Sequence, residues 1–268
     1  MIKAALQNAF NRPILDSIDP DQVVALGAAV QADILAGNSN ALLIDVTPLS
    51  LGIETVGGLM DTILPRNSKV PTSVGRNYTT SVDGQANLKV AVYQGERELV
   101  EHNRKLGEFI LKKIPPMPAG IPKLRIEFNL DADGILNVKA SEERSGTATE
   151  VQIKSQYGIS EKEMGKMLMD SIQNAESDMK AKQLIDARTE GQSLLQAASK
   201  FVIQNNEILT PEEQSTISEL KQNLEAIINS SDKDEIYASI ELLNTYTKPL
   251  AERAMDVTIK KALKGKKL

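Results

Sequence analysis

The residues whose types could do chemistry are few and poorly spaced for it. Asp131, Asp133 and Gly134 open like a calcium loop, and Glu142 falls at its twelfth position. Ile135 and Leu136, however, stand where such a loop needs an oxygen ligand and its turn glycine, so a hairpin turn is expected instead. His102 is the sole histidine and follows Glu101, and the chain has no cysteine. A metal site built on nitrogen and sulfur, or a Ser–His relay, therefore lacks partners. Ser50 lies in Leu-Ser-Leu without the strained turn of an activated nucleophile. Neither a Gly-x-x-x-x-Gly-Lys phosphate loop nor a dinucleotide fingerprint occurs. Acidic residues are plentiful, but nothing marks two of them as a catalytic pair. These residues lead to the expectation that the 268-residue chain is not an enzyme by itself.

Composition narrows the partners. Asp and Glu number 36 against 31 Lys and Arg, and the isoelectric point is near 5.2. Nucleic-acid binding needs a clustered basic face. The one basic cluster is terminal, Lys260, Lys261, Lys264, Lys266 and Lys267, where lysines complement a helix dipole. The absence of cysteine excludes disulfides and thiolate chemistry. No apolar run approaches the ~18 residues of a membrane span, and MIKAALQNAFNR has too short an apolar core for a signal peptide. Aromatics are 3% with no Trp, so the cores must be aliphatic.

Three kinds of pattern must position whatever site exists. Asp19-Pro20-Asp21-Gln22 reads as a helix start, with Asp19 as cap, and the helix is expected to stop at Gly37. Val23, Leu26, Val30 and Ile34 recur at helical spacing, a stripe one helix cannot bury alone. From Leu49 to about Ser155 the period is two, as in Leu88-Val90-Val92 and Leu124-Ile126-Phe128-Leu130. Asp83-Gly84, Asp133-Gly134 and Ser145-Gly146 supply turns, which predicts an antiparallel β-sandwich. Ile114-Pro-Pro-Met-Pro118 should be a rigid extended loop. At Ser160 the period becomes helical, with helices expected near 160–174, 176–206, 211–229 and 233–264. Ser160 with Glu163, Thr210 with Glu213 and Asp232 with Glu235 have capping-box spacing, and Pro249 should kink the last helix.

The organising stretch is Ala41 to Gly58, ALLIDVTPLSLGIETVGG. Its apolar run sits in a Ser/Asn-rich connection, where solvation favours polar residues. It is either an edge strand of its own sheet or a segment that docks elsewhere. With catalysis set aside, a binding module remains. An apolar groove in the sandwich would need shielding when empty, and a helical segment hinged at Gly158 could supply the shield. An extended guest would hydrogen-bond to backbone and place side chains in an apolar pocket.

These words resemble those of the DnaK-type heat-shock chaperones, the 70-kilodalton class, over nearly the whole chain. The most specific are DVTPLSLGIET at 45–55, Gly57-Gly58, QGERE at 94–98, DADGIL at 131–136 and YGIS at 157–160. IDPDQVVALGAAVQADIL at 18–35 is similar to the last helix of the family's ATPase domain. PPMPAG at 115–120, the Glu-Leu-Val-Glu-His run and the Arg253-to-Gly265 ending resemble the family's iron–sulfur-assembly branch. The resemblance implies an α+β fold: an antiparallel β-sandwich peptide-binding domain followed by an α-helical lid, with one N-terminal helix left over from an ATPase domain. It implies residues 1–37 as that remnant, 38–45 as interdomain linker, 46–157 as sandwich and 158–268 as lid.

The residue roles implied by the resemblance are these. Leu42, Leu43, Ile44 and Asp45 match the linker, and that tetrad is expected to be mobile or to satisfy itself elsewhere. Ile53, Thr55 and Val56 match one wall of the peptide groove, Tyr78 and Ser81 the opposite loop, and Leu88, Val90 and Leu124 the pocket lining. Val56 and Ser81 match the arch over the guest, and both are small. Ala119 stands where relatives place an arginine that pairs with a lid carboxylate at the position of Asp178, so a looser latch is expected. No cofactor is expected in this portion, ATP and magnesium belonging to the parent protein. Implied partners are an iron–sulfur scaffold protein carrying a Leu-Pro-Pro-Val-Lys type segment and, through the parent, a J-type cochaperone, with no nucleic acid and no membrane. The exposed stripe of the first helix makes non-native self-association a further expectation. The implied location is the bacterial cytoplasm. A general folding chaperone of the same fold and a helical-bundle adaptor remain as alternatives.

Overall fold

The computed structural model describes residues 7, 9–11, 18, 19, 21–36, 45–154 and 159–263. Leu42, Leu43, Ile44, Gly37, Gly158 and the lysines at 264, 266 and 267 lie outside the described residues. The chain divides into two compact units, Met1–Asp45 and Val46–Leu268. In the first, helix α1 spans Val23–Leu35 and starts later than the sequence suggests. The Asp19 carboxylate accepts from the Asp21 backbone N–H at 3.0 Å, closing a local turn, and Gln22 becomes the N-cap with no side-chain bond. Val23, Leu26 and Val30 are exposed within this unit.

The second unit contains most of β1 to β10 and four helices. The strands are β1 (Asp45–Val46), β2 (Leu51–Glu54), β3 (Met60–Leu64), β4 (Lys69–Val70), β5 (Thr72–Tyr78), β6 (Asn87–Gln94), β7 (Arg104–Lys112), β8 (Leu124–Leu130), β9 (Ile135–Glu142) and β10 (Ala148–Lys154). Two four-stranded antiparallel sheets have the orders β3-β2-β6-β7 and β5-β8-β9-β10. Strict alternation sets the inward faces: in β8 and β9 every second residue is buried. Leu51, Ile53, Val90, Val92 and Leu111 from the first sheet share one core with Leu124, Ile126, Phe128, Leu136 and Val138 from the second.

The turns divide into two kinds. Asp131 accepts from the Asp133 and Ile135 N–H groups at 3.0 and 2.8 Å, so the calcium-like word is a self-satisfied hairpin turn. Glu142 is buried and accepts from Arg144 and Ser145 N–H at the other hairpin, using up the carboxylate at the twelfth position. Asp83-Gly84 does not close a hairpin. β5 and β6 belong to different sheets, and the loop between them crosses from one sheet to the other. The Gly84 N–H bonds to Met117 O at 2.9 Å, fastening that loop to the extended proline segment.

Helices α2 (Glu161–Gln173), α3 (Ala175–Gln204), α4 (Pro211–Ile227) and α5 (Lys233–Leu263) follow. Ser160 and Thr210 form complete capping boxes with Glu163 and Glu213. The third box does not form: Asp232 accepts from Asp234 N, and Glu235 instead takes the Ser230 hydroxyl. α5 continues through Pro249 to Leu263 as one helix. α3 is about 45 Å long at 1.5 Å per residue. Its later half joins α4 and α5 around Ala187, Ala198, Ile217, Leu224, Ile236, Ile240 and Leu243. Among the described residues no helix is long and apolar enough to cross a membrane.

Candidate functional site

Where β2, β5 and β6 end, the two sheets leave a cavity of about 360 Å³. Ile53, Thr55 and Val56 line one side, Tyr78 and Ser81 another, and Leu88 and Val90 lie between them. The alternation of β6 explains the last pair, since Leu88 and Val90 share a face two residues apart. Ile126, not Leu124, forms part of the lining. Leu124 pairs with Tyr78 in the ladder and is buried in the core. Glu54, Thr79, Gln85 and Lys89 also line the cavity. The alternation could have pointed to Ile126, which shares a face with Leu124. The others lie at strand ends and in the crossover loop, which alternation does not address.

Tyr78 is fixed from outside the cavity. Its hydroxyl donates to Asp61 Oδ2 at 2.7 Å, and the Arg76 guanidinium pairs with the other oxygen of the same carboxylate. Burial first, and then the bond to Asp61, push the phenol well above its ordinary range.

Helix α3 is tied to loops on both sides of this cavity. Loop 95–103 is ordered by Asn103, whose amide donates to Arg97 O and Leu99 O and whose carbonyl accepts from Arg97 N. Gly95 permits this, because a Cβ there would stand 2.1 Å from the Asn103 side-chain oxygen. The loop root is held by Ser50, whose N–H and hydroxyl donate to Glu96 while the hydroxyl accepts from Arg66 N. Ser50 is thus a structural residue. So oriented, Arg97 forms a forked pair with Asp178 of α3, including Nη2 to Oδ1 at 2.8 Å. Both side chains are largely buried, 13% and 6% exposed. The Arg97 bond, outweighing burial, holds the Asp178 carboxyl below the usual carboxylate range.

Asp178 therefore has an arginine partner, but from loop 95–103 and not from position 119. The expectation of a looser latch rested on the wrong loop. The Ala119 N–H instead donates to Asp83 at 2.8 Å, and Asp83 also pairs with Lys200 farther along α3. Lys182 bonds Glu98 at 2.8 Å. Between these contacts Gly57, at φ +83°, lets the helix approach: a Cβ there would lie 2.3 Å from the Ile185 side chain. Sequence reading missed Arg97, Glu98, Lys182 and Lys200, since only their positions in space pair them.

A strand-built cavity with a long helix fastened across its loops is the architecture to which the sequence words at 45–58 and 94–98 belong. The Hsp70 protein family model matches residues 1–256, and the chain belongs to that family. It is 44% identical over its full length to proteins described as "Chaperone protein HscA homolog" from Tolumonas auensis and Burkholderia pseudomallei, and 43% identical to one from Burkholderia mallei. It spans 44% of the length of each of these relatives.

The continuous match corrects three expectations. It begins at residue 1, so it does not support the division into a leftover ATPase helix, a self-contained β-sandwich peptide-binding domain and a lid, although the two sheets and the helices stand as described. It also places the whole region inside a family that uses ATP and magnesium. The reading of the chain as a non-enzyme is withdrawn, and so is the reading that it has no cofactor. Those readings rested on short linear motifs, and a family match covering the chain outweighs the absence of a motif.

Proposed function

We propose that the cavity between β2, β5 and β6 grips an extended apolar peptide segment of a client protein. The observation that carries this reading is the apolar lining of Ile53, Val56, Leu88, Val90 and Ile126, beneath a helix tied to loops on both sides. Burying one Leu-sized side chain supplies ~1.5–3 kcal/mol, whereas micromolar affinity needs about 8 kcal/mol. Backbone hydrogen bonds at the strand ends, together with Thr55, Ser81 and Gln85, must supply much of the remainder. The relatives' description as chaperone proteins agrees with a client-binding role. The finer reading rests on the resemblance of residues 115–120 and 253–265 to the family's iron–sulfur-assembly branch. It takes as client a scaffold protein of iron–sulfur cluster assembly presenting a Leu-Pro-Pro-Val-Lys type segment, with a J-type cochaperone as second partner and a bacterial cytoplasmic setting. Leu42, Leu43, Ile44 and Asp45 serve in this reading as the linker between residues 1–37 and the cleft-bearing unit.

The test is titration of a labelled Leu-Pro-Pro-Val-Lys peptide against the chain, beside a panel of unrelated apolar peptides. Saturable binding that favours the first peptide is expected. Equal binding across the panel would favour a general folding chaperone, and no saturable binding to any peptide would remove the cleft reading.

A further inference from the structure

The cavity lies where the edges of the two sheets meet, and the contact there is polar. β3 is the edge strand of one sheet and β5 the edge strand of the other. Asp61 stands on β3, directly across the ladder from the cleft residue Ile53. Arg76 and Tyr78 stand two residues apart on β5, on one face of that strand. Both donate to the single Asp61 carboxylate, one to each oxygen. At the β7–β10 edge the sheets meet through apolar packing, with Ile153 seated against Gly107. The cleft-side seam is thus closed by three polar side chains at the mouth of a cavity that an apolar seam would hold less directionally.

We propose that Asp61 and Arg76 are positioning residues that staple Tyr78, and with it the loop 78–81, to the sheet carrying Ile53, and so fix the width of the cleft. This rests on the reading of the cleft as a peptide site. One consequence concerns rate. A guest leaves when the 78–81 side moves away from the Ile53 side, and the staple opposes that motion. A second concerns selection. The Tyr78 hydroxyl is committed to Asp61, so the ring turns a carbon surface to the cavity and favours an apolar guest side chain. Arg76 accounts for the directional hold, because a carboxylate paired on one oxygen is constrained in how it meets the phenol on the other.

The experiment uses Tyr78→Phe, Asp61→Asn and the double variant in the full chain, with two readouts. Peptide dissociation is followed by stopped-flow fluorescence. Backbone relaxation dispersion of residues 53–56 and 78–81 is recorded without peptide. Each single variant is expected to raise the dissociation rate about 10- to 150-fold, the equivalent of one hydrogen bond to a charged acceptor. The double variant should be no faster than the larger single effect, and exchange broadening should appear at 78–81. Arg76→Gln should give part of the effect and Arg76→Lys less. Unchanged dissociation and flat dispersion in both single variants would overturn the staple, as would effects that multiply in the double variant. If the unaltered chain fails to bind any peptide, the cleft reading falls. The dispersion measurement then still decides whether the staple holds the seam.

Discussion

Replacing Asp178 by Asn tests most directly whether α3 is held over the cleft as the geometry requires. The change keeps the size of the side chain and removes its charge, leaving the largely buried Arg97 guanidinium without its counter-ion. Breaking a buried pair costs ~3–5 kcal/mol, and an Asn that still accepts one bond recovers part of this, leaving about 2–4 kcal/mol. The other two ion pairs from α3 are close to half exposed and contribute only ~0–1 kcal/mol each. Asp178 should therefore dominate the polar hold on the first half of the helix. The later half stays packed around Ala187, Ala198 and the residues of α4 and α5, so the bundle should keep its melting temperature. The readout is hydrogen exchange at residues 178–186. Exchange should speed by about 30- to 1,000-fold, since each 1.4 kcal/mol is a factor of about ten. Peptide dissociation should accelerate in parallel. A change of less than about threefold at those amides would refute the argument. The pH dependence has a definite sign. The Asp178 carboxyl is depressed in the folded chain, so its contribution is whole at neutral pH and is lost as pH falls through the depressed value. The difference between the native chain and Asp178→Asn should thus persist down to about pH 4 and shrink only below it.

Leu88→Asp should abolish peptide binding, because it places a charge in the cleft lining, while circular dichroism stays native; unchanged affinity would remove Leu88 from the site. Gly57→Ala should loosen α3 from its loop, since its Cβ would meet Ile185 and the backbone there is left-handed, and exchange at 182–189 reads the effect. Glu142→Gln should cost about 1–3 kcal/mol in denaturant unfolding, as the buried carboxylate holds the Arg144 and Ser145 N–H groups. The Ser145 contact keeps that carboxyl below its ordinary value, so its contribution is lost on acidification and not on alkalinisation. Lys200→Ala should change α3 exchange by no more than about fivefold, as befits an exposed pair with Asp83.

Period and punctuation settled a good deal without the structure. The two-residue repeat from Leu88 to Ile153 was enough to place Val90, Ile126, Phe128 and Val138 inside antiparallel sheets, because burial on a strand is a local alternation. Ser160 and Thr210 announced their helices because a capping box closes within four residues. Tertiary context decided the rest. Asp19 has capping chemistry, yet the Asp21 N–H claims its carboxylate before the helix begins. Asp232 caps α5 through the Asp234 N–H without the reciprocal bond from Glu235, which takes the Ser230 hydroxyl. Asp83-Gly84 looks like a hairpin turn, but its strands went to different sheets, which turn chemistry cannot foresee. Leu124 and Ile126 are equivalent in pattern and both are buried in the core, and only the closure of the two sheets made Ile126 a lining residue of the cavity as well. Only the family resemblance pointed to Asp178 as a carboxylate that pairs with an arginine, and it pointed to position 119. That the arginine is Arg97, 81 residues earlier and aimed by Asn103 and Gly95, depends on loop 95–103 folding back on itself. Local rules fix which face of a strand is buried and where a helix with a complete capping box begins. Which charged side chains meet is a property of the packed chain, because those partners are neighbours only in space.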